Sequence, residues 1–445
     1  MVQVTTDGER AGRGPRRRWM IAGVTVLAVT AAGVTWAVVG RGNSSGGSGP
    51  SAATPSHTVS GPPAEEGIQA GADAVLKARA SAVLTGKLPQ YLQNVDPANS
   101  QLRQRDQQVF ANLRKLGLSG LSYRIDTNWA PEVQAQHGPN AFAVRVLMLV
   151  QIAGIDSAPR ATSLGYTFAE RGGRWLLVDD DDLAAEADLS AYREPWDLGA
   201  VDVARRPGVL VVVPAGEHRN GERLAREAQL AMPVVRSTTR RIQAGILVVA
   251  MADRRSMDPE WQSGGHPAAA VAARNFAPAN PEASEFKVTG SRVVVHPDQR
   301  TKAGRLLFAH EFTHAAMEPL GDRAPIWLVE GFATYVENRL AAQSGYRREI
   351  DSERRALLRE KIPALVVLPI DGVFHGDYDE DSYGVSWIIV DHLVTTYGQA
   401  AVNALYAELA RGPDTPAVRE QVLRKHLKVG ETALIAALKK AGGAA

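Results

Sequence analysis

Residues 310–330 constrain the fold more than any other stretch. His310-Glu311-Phe312-Thr313-His314 is followed sixteen positions later by Glu330, inside Trp327-Leu328-Val329-Glu330-Gly331-Phe332-Ala333. On an α-helix, residues i and i+4 leave by one face, so His310 and His314 can reach a single ion beside that helix. Glu311 points about 100° away from the first histidine and faces the water of such a site rather than its ion. A catalytic zinc takes three protein ligands and keeps a fourth position open, so a third donor must come from elsewhere. Glu330 is the best candidate. Glu318-Pro319-Leu320-Gly321 ends the first helix, because proline cannot continue it and glycine accepts the turn conformation. Asp322 to Pro325 then offer capping and first-turn residues for a second helix from about Ile326. The short connection favours antiparallel packing, which brings Glu330 beside the paired histidines.

The two motifs resemble those of the gluzincins, the thermolysin-like zinc metallopeptidases, especially compact peptidase MA-like members with a short gap before WLxEGxA. The resemblance covers roughly residues 195–412 and is strongest over 305–337 and 381–398. It implies one catalytic Zn²⁺ held by His310, His314 and Glu330, with Glu311 as general base. It also implies a tyrosine on a later helix that steadies the oxyanion. Asp381-Ser382-Tyr383-Gly384-Val385-Ser386-Trp387 is similar to that helix, which points to Tyr383. A phenol suits the role because it donates a hydrogen bond at neutral pH. His375 and His392 are rivals for it, each without a spacing partner. Ser291-Arg292-Val293-Val294-Val295-His296 reads as a strand. In the family such a strand is the sheet edge bordering the cleft, where a peptide substrate can add itself. The implied activity is hydrolysis of polypeptide. Two alternatives stand beside it: a catalytically silent peptidase-like binding or scaffold protein, and a zinc amidase acting on a cell-envelope polymer.

The formal charge of +2 hides an asymmetry, since residues 1–41 carry six arginines against Asp7 and Glu9. The remainder is near neutral, and nothing suggests nucleic acid as a partner. The arginines flank Trp19 to Gly40, an uncharged run long enough for a ~30 Å hydrocarbon core. Residues 1–18 therefore read as a basic cytoplasmic tail and 19–40 as a retained transmembrane helix of signal-anchor type. The positive-inside rule then places the rest outside the cell membrane. Residues 41–67, rich in Gly, Ser and Pro, read as a flexible tether. Cysteine is absent, which removes disulfides, a thiolate nucleophile and Cys-ligated zinc from consideration.

Residues 68–192 read as a separate α+β unit. Helical periodicity over 68–84, 88–95 and 101–116 gives way to period-two strands over 121–128, 141–155, 162–171 and 174–179, with Gly172-Gly173 as a hairpin turn. The order resembles the cone-shaped nuclear transport factor 2-like domains. The run Asp179 to Asp182 reads as a solvated turn or helix cap rather than as a calcium site. The metallopeptidase unit, 195–445, should hold strands at 209–213, 245–252 and 293–296 around a helix at 221–235. Helices follow at 301–318, 326–343, 381–397 and 399–411, with a terminal helical cap over 416–441. The whole chain is thus expected to be α+β, led by a membrane-spanning helix. Asp371 to Asp381 is expected as a cleft-side loop in which His375 touches substrate.

Overall fold

The computed structural model describes residues 63–129, 133–180, 194–241, 245–257, 268–275, 287–321, 323–370, 379–413 and 415–443. The chain opens with α1 (Pro63–Thr85), α2 (Leu88–Leu92) and α3 (Ser100–Lys115). Strands β1 (Leu118–Trp129), β2 (Phe142–Ile152), β3 (Arg160–Arg171) and β4 (Arg174–Asp179) follow, with the short α4 (Val133–His137) between the first two. They form an antiparallel sheet in the order β1-β2-β3-β4. After α5 (Pro195–Leu198) come β5 (Val201–Arg206), β6 (Val209–Pro214), α6 (His218–Thr239), β7 (Ile246–Val249), β8 (Ala268–Asn275) and β9 (Lys287–Val295). These strands build a second sheet in the order β5-β6-β7-β9-β8. The helical half is α7 (Arg305–Met317), α8 (Ile326–Ala341), α9 (Arg347–Glu360), α10 (Asp379–Tyr397), α11 (Gln399–Leu409), α12 (Pro416–Leu427) and α13 (Glu431–Gly443).

The second sheet explains its own sequence. Its central strands are continuous apolar runs, Val209-Leu210-Val211-Val212-Val213 and Ile246-Leu247-Val248-Val249, because both faces are covered. Val209, Val211, Val213, Val248, Val293 and Val295 face the core shared with α6, α7, α8 and α10. Their alternates Leu210, Val212, Leu247, Val249 and Val294 face a second core, together with Ala80, Phe110, Leu113, Met148 and Val150 from the first half of the chain. One sheet thus serves two cores, and the first sheet with its helices is packed onto its outer face.

A buried ionic tie reinforces this junction. Glu194, in the link between the two sheets, takes Arg292 of β9 at 2.8 Å and Arg160 of β3 at 2.7 Å, and accepts from Thr162 Oγ1 at 2.8 Å. Both guanidiniums lie over the ring of fully buried Trp196. Asn112 of α3 donates to the carbonyls of Trp196 and Gly199 and accepts from the amide of Val201, which fixes the start of β5.

Two expectations are corrected. The α+β assignment gives way to mixed α/β: β5 pairs antiparallel to β6, but β6–β7 and β7–β9 are parallel, the first joined by the α6 crossover. The leading transmembrane helix is not retained either, because among the described residues no helix is long and apolar enough to cross a membrane. The longest of these, α1, contains Glu65, Glu66, Asp73, Lys77 and Arg79, charges that a hydrocarbon core would not accept. With it go the signal-anchor and the single-pass cell-membrane location. The span expected over 19–40 lies outside the described residues, as does most of the tether. Pro63 to Gly67, assigned to that tether, instead form the first turns of α1, where proline suits the opening position.

Candidate metal centre

α7 is buried on every side: each residue from Phe308 to Met317 is shielded from solvent. A helix that is apolar or inward-facing all round belongs inside a core, and α7 lies between α6 and the second sheet on one side and α8 on the other. Phe308 and Phe312 stack at 5.6 Å on one face, which leaves His310 and His314 to project together from another, with ring centroids 4.8 Å apart. The helix stops where the sequence predicts. Glu318–Leu320 tightens into a 3₁₀ turn and Gly321 adopts φ 126°. A side chain there would also meet the carbonyl oxygen of Ala410 at 2.2 Å, so glycine is required twice over. Asp322 lies outside the described residues, and α8 starts from Pro325 with no side-chain cap.

α8 is set by a second close approach. A Cβ on Gly331 would sit 2.5 Å from the carbonyl oxygen of Ser386, so α8 and α10 touch backbone to backbone beside Glu330. The outcome is a group of two imidazoles and one carboxylate, His310, His314 and Glu330, whose ligand atoms all lie within 4.8 Å of one another. His310 Nε2 is 3.3 Å from Glu330 Oε2, and His314 Nε2 is 3.6 Å from the same oxygen. Glu311 and Glu330 are completely buried.

Glu337 completes the arrangement and was not read from the sequence. It stands two turns beyond Glu330 on the same face of α8, and its Oε2 accepts from His310 Nδ1 at 3.1 Å. A carboxylate on the far nitrogen fixes the tautomer and aims the near nitrogen inward, as around metal-bound histidines generally. The i+7 spacing from Glu330 was the available signal.

Burial works against charge on the His310 ring. The hydrogen bonds and charges of Glu330 and Glu337 overcome it, and push the ring from 6.5 up to about 10. Burial likewise opposes the Glu330 carboxylate, but His314 and His310 hold it down at about 2. Burial lowers His314, with His310 acting in the same direction.

The donors present suit a divalent cation. Two imidazoles and a carboxylate, with no cysteine in the chain, are a zinc donor set. His314 Nε2 is buried and has no hydrogen-bond partner. The carboxylates of Glu330 and Glu337 both contact the His310 ring, and Glu330 also lies beside His314, a negative surplus that a cation would balance.

The remaining expectations divide. Tyr383 lies on α10, fully buried, one helical turn before the Ser386–Gly331 contact. His392, also on α10, is beside the Asp391–Arg354 ion pair and does not join the metal group. His375 and most of the expected cleft-side loop lie outside the described residues. His296 ends β9 and accepts from the amide of Asp298, a capping role. Ser291–His296 is not a sheet edge, since β9 runs between β7 and β8. The edge is β8, antiparallel to β9 and lying against α7. Of the aspartate run, Asp180 pairs with Arg105, and Asp181 and Asp182 lie outside the described residues.

No family model matches the sequence, and no curated protein matches it. Among solved structures the chain is similar to native yeast LTA4 hydrolase, at 14% identity and a TM-score of 0.32. The match covers 61% of this chain and 43% of that one, so this chain spans less than half the length of that enzyme.

Proposed function

We propose that this chain is a zinc-dependent hydrolase of peptide bonds, with His310, His314 and Glu330 holding the ion and Glu311 as general base. The observation that carries the reading is the buried convergence of those three donors from two helices, within 4.8 Å, beside a fully buried glutamate. When bound, zinc supplies Lewis acidity, which polarises a carbonyl and makes water acidic near neutral pH. The chain's own residues account for the rest. Glu311 takes the proton of the attacking water and returns it to the departing amine. Glu337 holds the His310 ring in register. Tyr383, on the helix that touches α8 at Gly331, donates its phenolic proton toward the oxygen that becomes negative. An extended polypeptide adds to β8, the edge strand beside α7, and is held by main-chain hydrogen bonds.

The test is metal analysis of the purified chain together with hydrolysis of an unfolded polypeptide. Wild type is expected to carry zinc and to cleave, and Glu311→Gln to retain zinc while losing activity by about 10²–10⁴-fold. A wild type without zinc, or a variant as active as wild type, would sink the mechanism. Cleavage of peptidoglycan fragments in place of polypeptide would replace the substrate class and leave the site standing.

A further inference from the structure

The first half of the chain contains a cavity of about 510 Å³, far from the metal centre in sequence. It is bounded by the α2–α3 connection, α3 and the β3–β4 hairpin, with Leu92, Val95 and Leu176 as apolar wall and Arg103, Arg171 and Arg174 as its charged groups. Among the described residues, no acidic one lines it. Its volume falls within the roughly 300–1,000 Å³ typical of small-molecule sites.

The walls are built, not incidental. Residues 94–96 pair along the outer edge of β4, with Leu177 N donating to Asn94 O at 2.8 Å and Asp96 N to Leu177 O at 2.9 Å. Arg103 Nη1 donates to the carbonyls of Leu92 and Val95, and Arg174 Nη2 to that of Gln93, so two guanidiniums are held in place by the loop they face. Arg171 and Arg174 stand directly opposite each other across the two-residue turn Gly172-Gly173, whose φ values of 57° and 74° suit that turn.

Like charges directly opposite on paired strands are destabilising. Glu170 cannot compensate, because successive strand residues face opposite ways and its carboxylate accepts from Asn140. Among the described residues, none of the three arginines forms an ion pair. Three positive groups from three elements therefore meet at one half-apolar cavity, with no ion pair to balance them among the described residues.

We infer that this cavity binds an anionic small molecule, one with a carboxylate or phosphate head on a short apolar body. Guanidiniums match both heads through paired hydrogen bonds, and Leu92, Val95 and Leu176 accept the body. The site is independent of the metal centre and of its chemistry.

Calorimetric titration of the full chain with hexanoate, hexyl phosphate and inorganic phosphate tests it. At least one of the two hexyl anions should bind saturably, tighter than about 1 mM, and the stronger of them identifies the head. Arg171→Glu turns the facing like pair into an opposite pair. It should leave the melting temperature unchanged or higher while weakening that binding by about tenfold or more. Absence of saturable binding by all three probes would overturn the inference, as would a variant that binds like wild type. Inorganic phosphate binding as tightly as hexyl phosphate would remove the apolar body from it.

Discussion

Two of the places where this molecule buries charge do so in opposite ways. In the first half, Arg79 is fully enclosed, with Nη1 and Nη2 both 2.8 Å from Asp106 and Nη2 also 2.6 Å from the Tyr91 hydroxyl. The guanidinium lies over the rings of Tyr91 and Tyr166. One cation meets one anion through a planar fork, and the knot is electrically closed. At the candidate metal centre two carboxylates, Glu330 and Glu337, flank two imidazoles, and the donor atoms converge without cancelling. The closed pair serves the fold, whereas the open group suits a cation.

The contrast can be broken most severely at the knot. Asp106→Ala leaves Arg79 buried without its anion, and should lower unfolding free energy by about 3–5 kcal/mol in denaturant titration. An Arg79→Met/Asp106→Leu double variant should recover most of that loss, and failure to recover would show that the knot is more than a balanced pair. Next in size is the effect of metal. Zinc added at about one hundred times its Kd should stabilise the chain by about 2.7 kcal/mol, reversed by chelation.

The pH dependence of that gain has a definite sign. His310 is raised to about 10, so in the metal-free chain its stabilisation is complete below 6.5 and lost as pH rises through about 10. Zinc must displace that proton, whereas Glu330, held at about 2, and the lowered His314 carry none at neutral pH. Uptake at pH 7 should release about one proton, visible as a buffer-dependent heat, and affinity should climb with pH toward about 10. Uptake without proton release would contradict the arrangement. The smallest effect tests the second layer: Glu337→Gln should weaken zinc by about 10–100-fold in chelator competition, with the ion still bound.

What was legible in the sequence was what one helix can encode. His310 and His314 are four apart on α7, and Gly321 and Gly331 mark the turn and the close crossing that deliver Glu330. Partners brought together only by folding were not legible. Nothing in the sequence marks Arg79 for burial; its anion, Asp106, stands twenty-seven positions on and is brought to it only by folding. Strand β8 escaped because Ala268 to Ala273 is nearly all alanine, a composition poor in β-branched residues, and it forms only because β9 offers an edge. The terminal cap was read as one helix over 416–441. It is two, because Lys428 turns left-handed at φ 63° and Gly430 fits against Glu420, whose carboxylate caps the amide of Glu431. The membrane-spanning reading failed for a different reason: it rested on residues 19–40 alone, and none of the described helices supplies a replacement.

The sheet that serves two cores sets a timetable for synthesis. Ala80, Phe110, Leu113 and Met148 leave the ribosome well before Val294 of β9, the last strand of the face they cover. At ~5–20 residues per second, the interval from Met148 to Val294 is roughly 7–30 s. For that time an apolar surface waits without its partner, a window in which chaperone capture competes with aggregation. The nascent chain, more than the finished fold, is where this architecture is most exposed to failure.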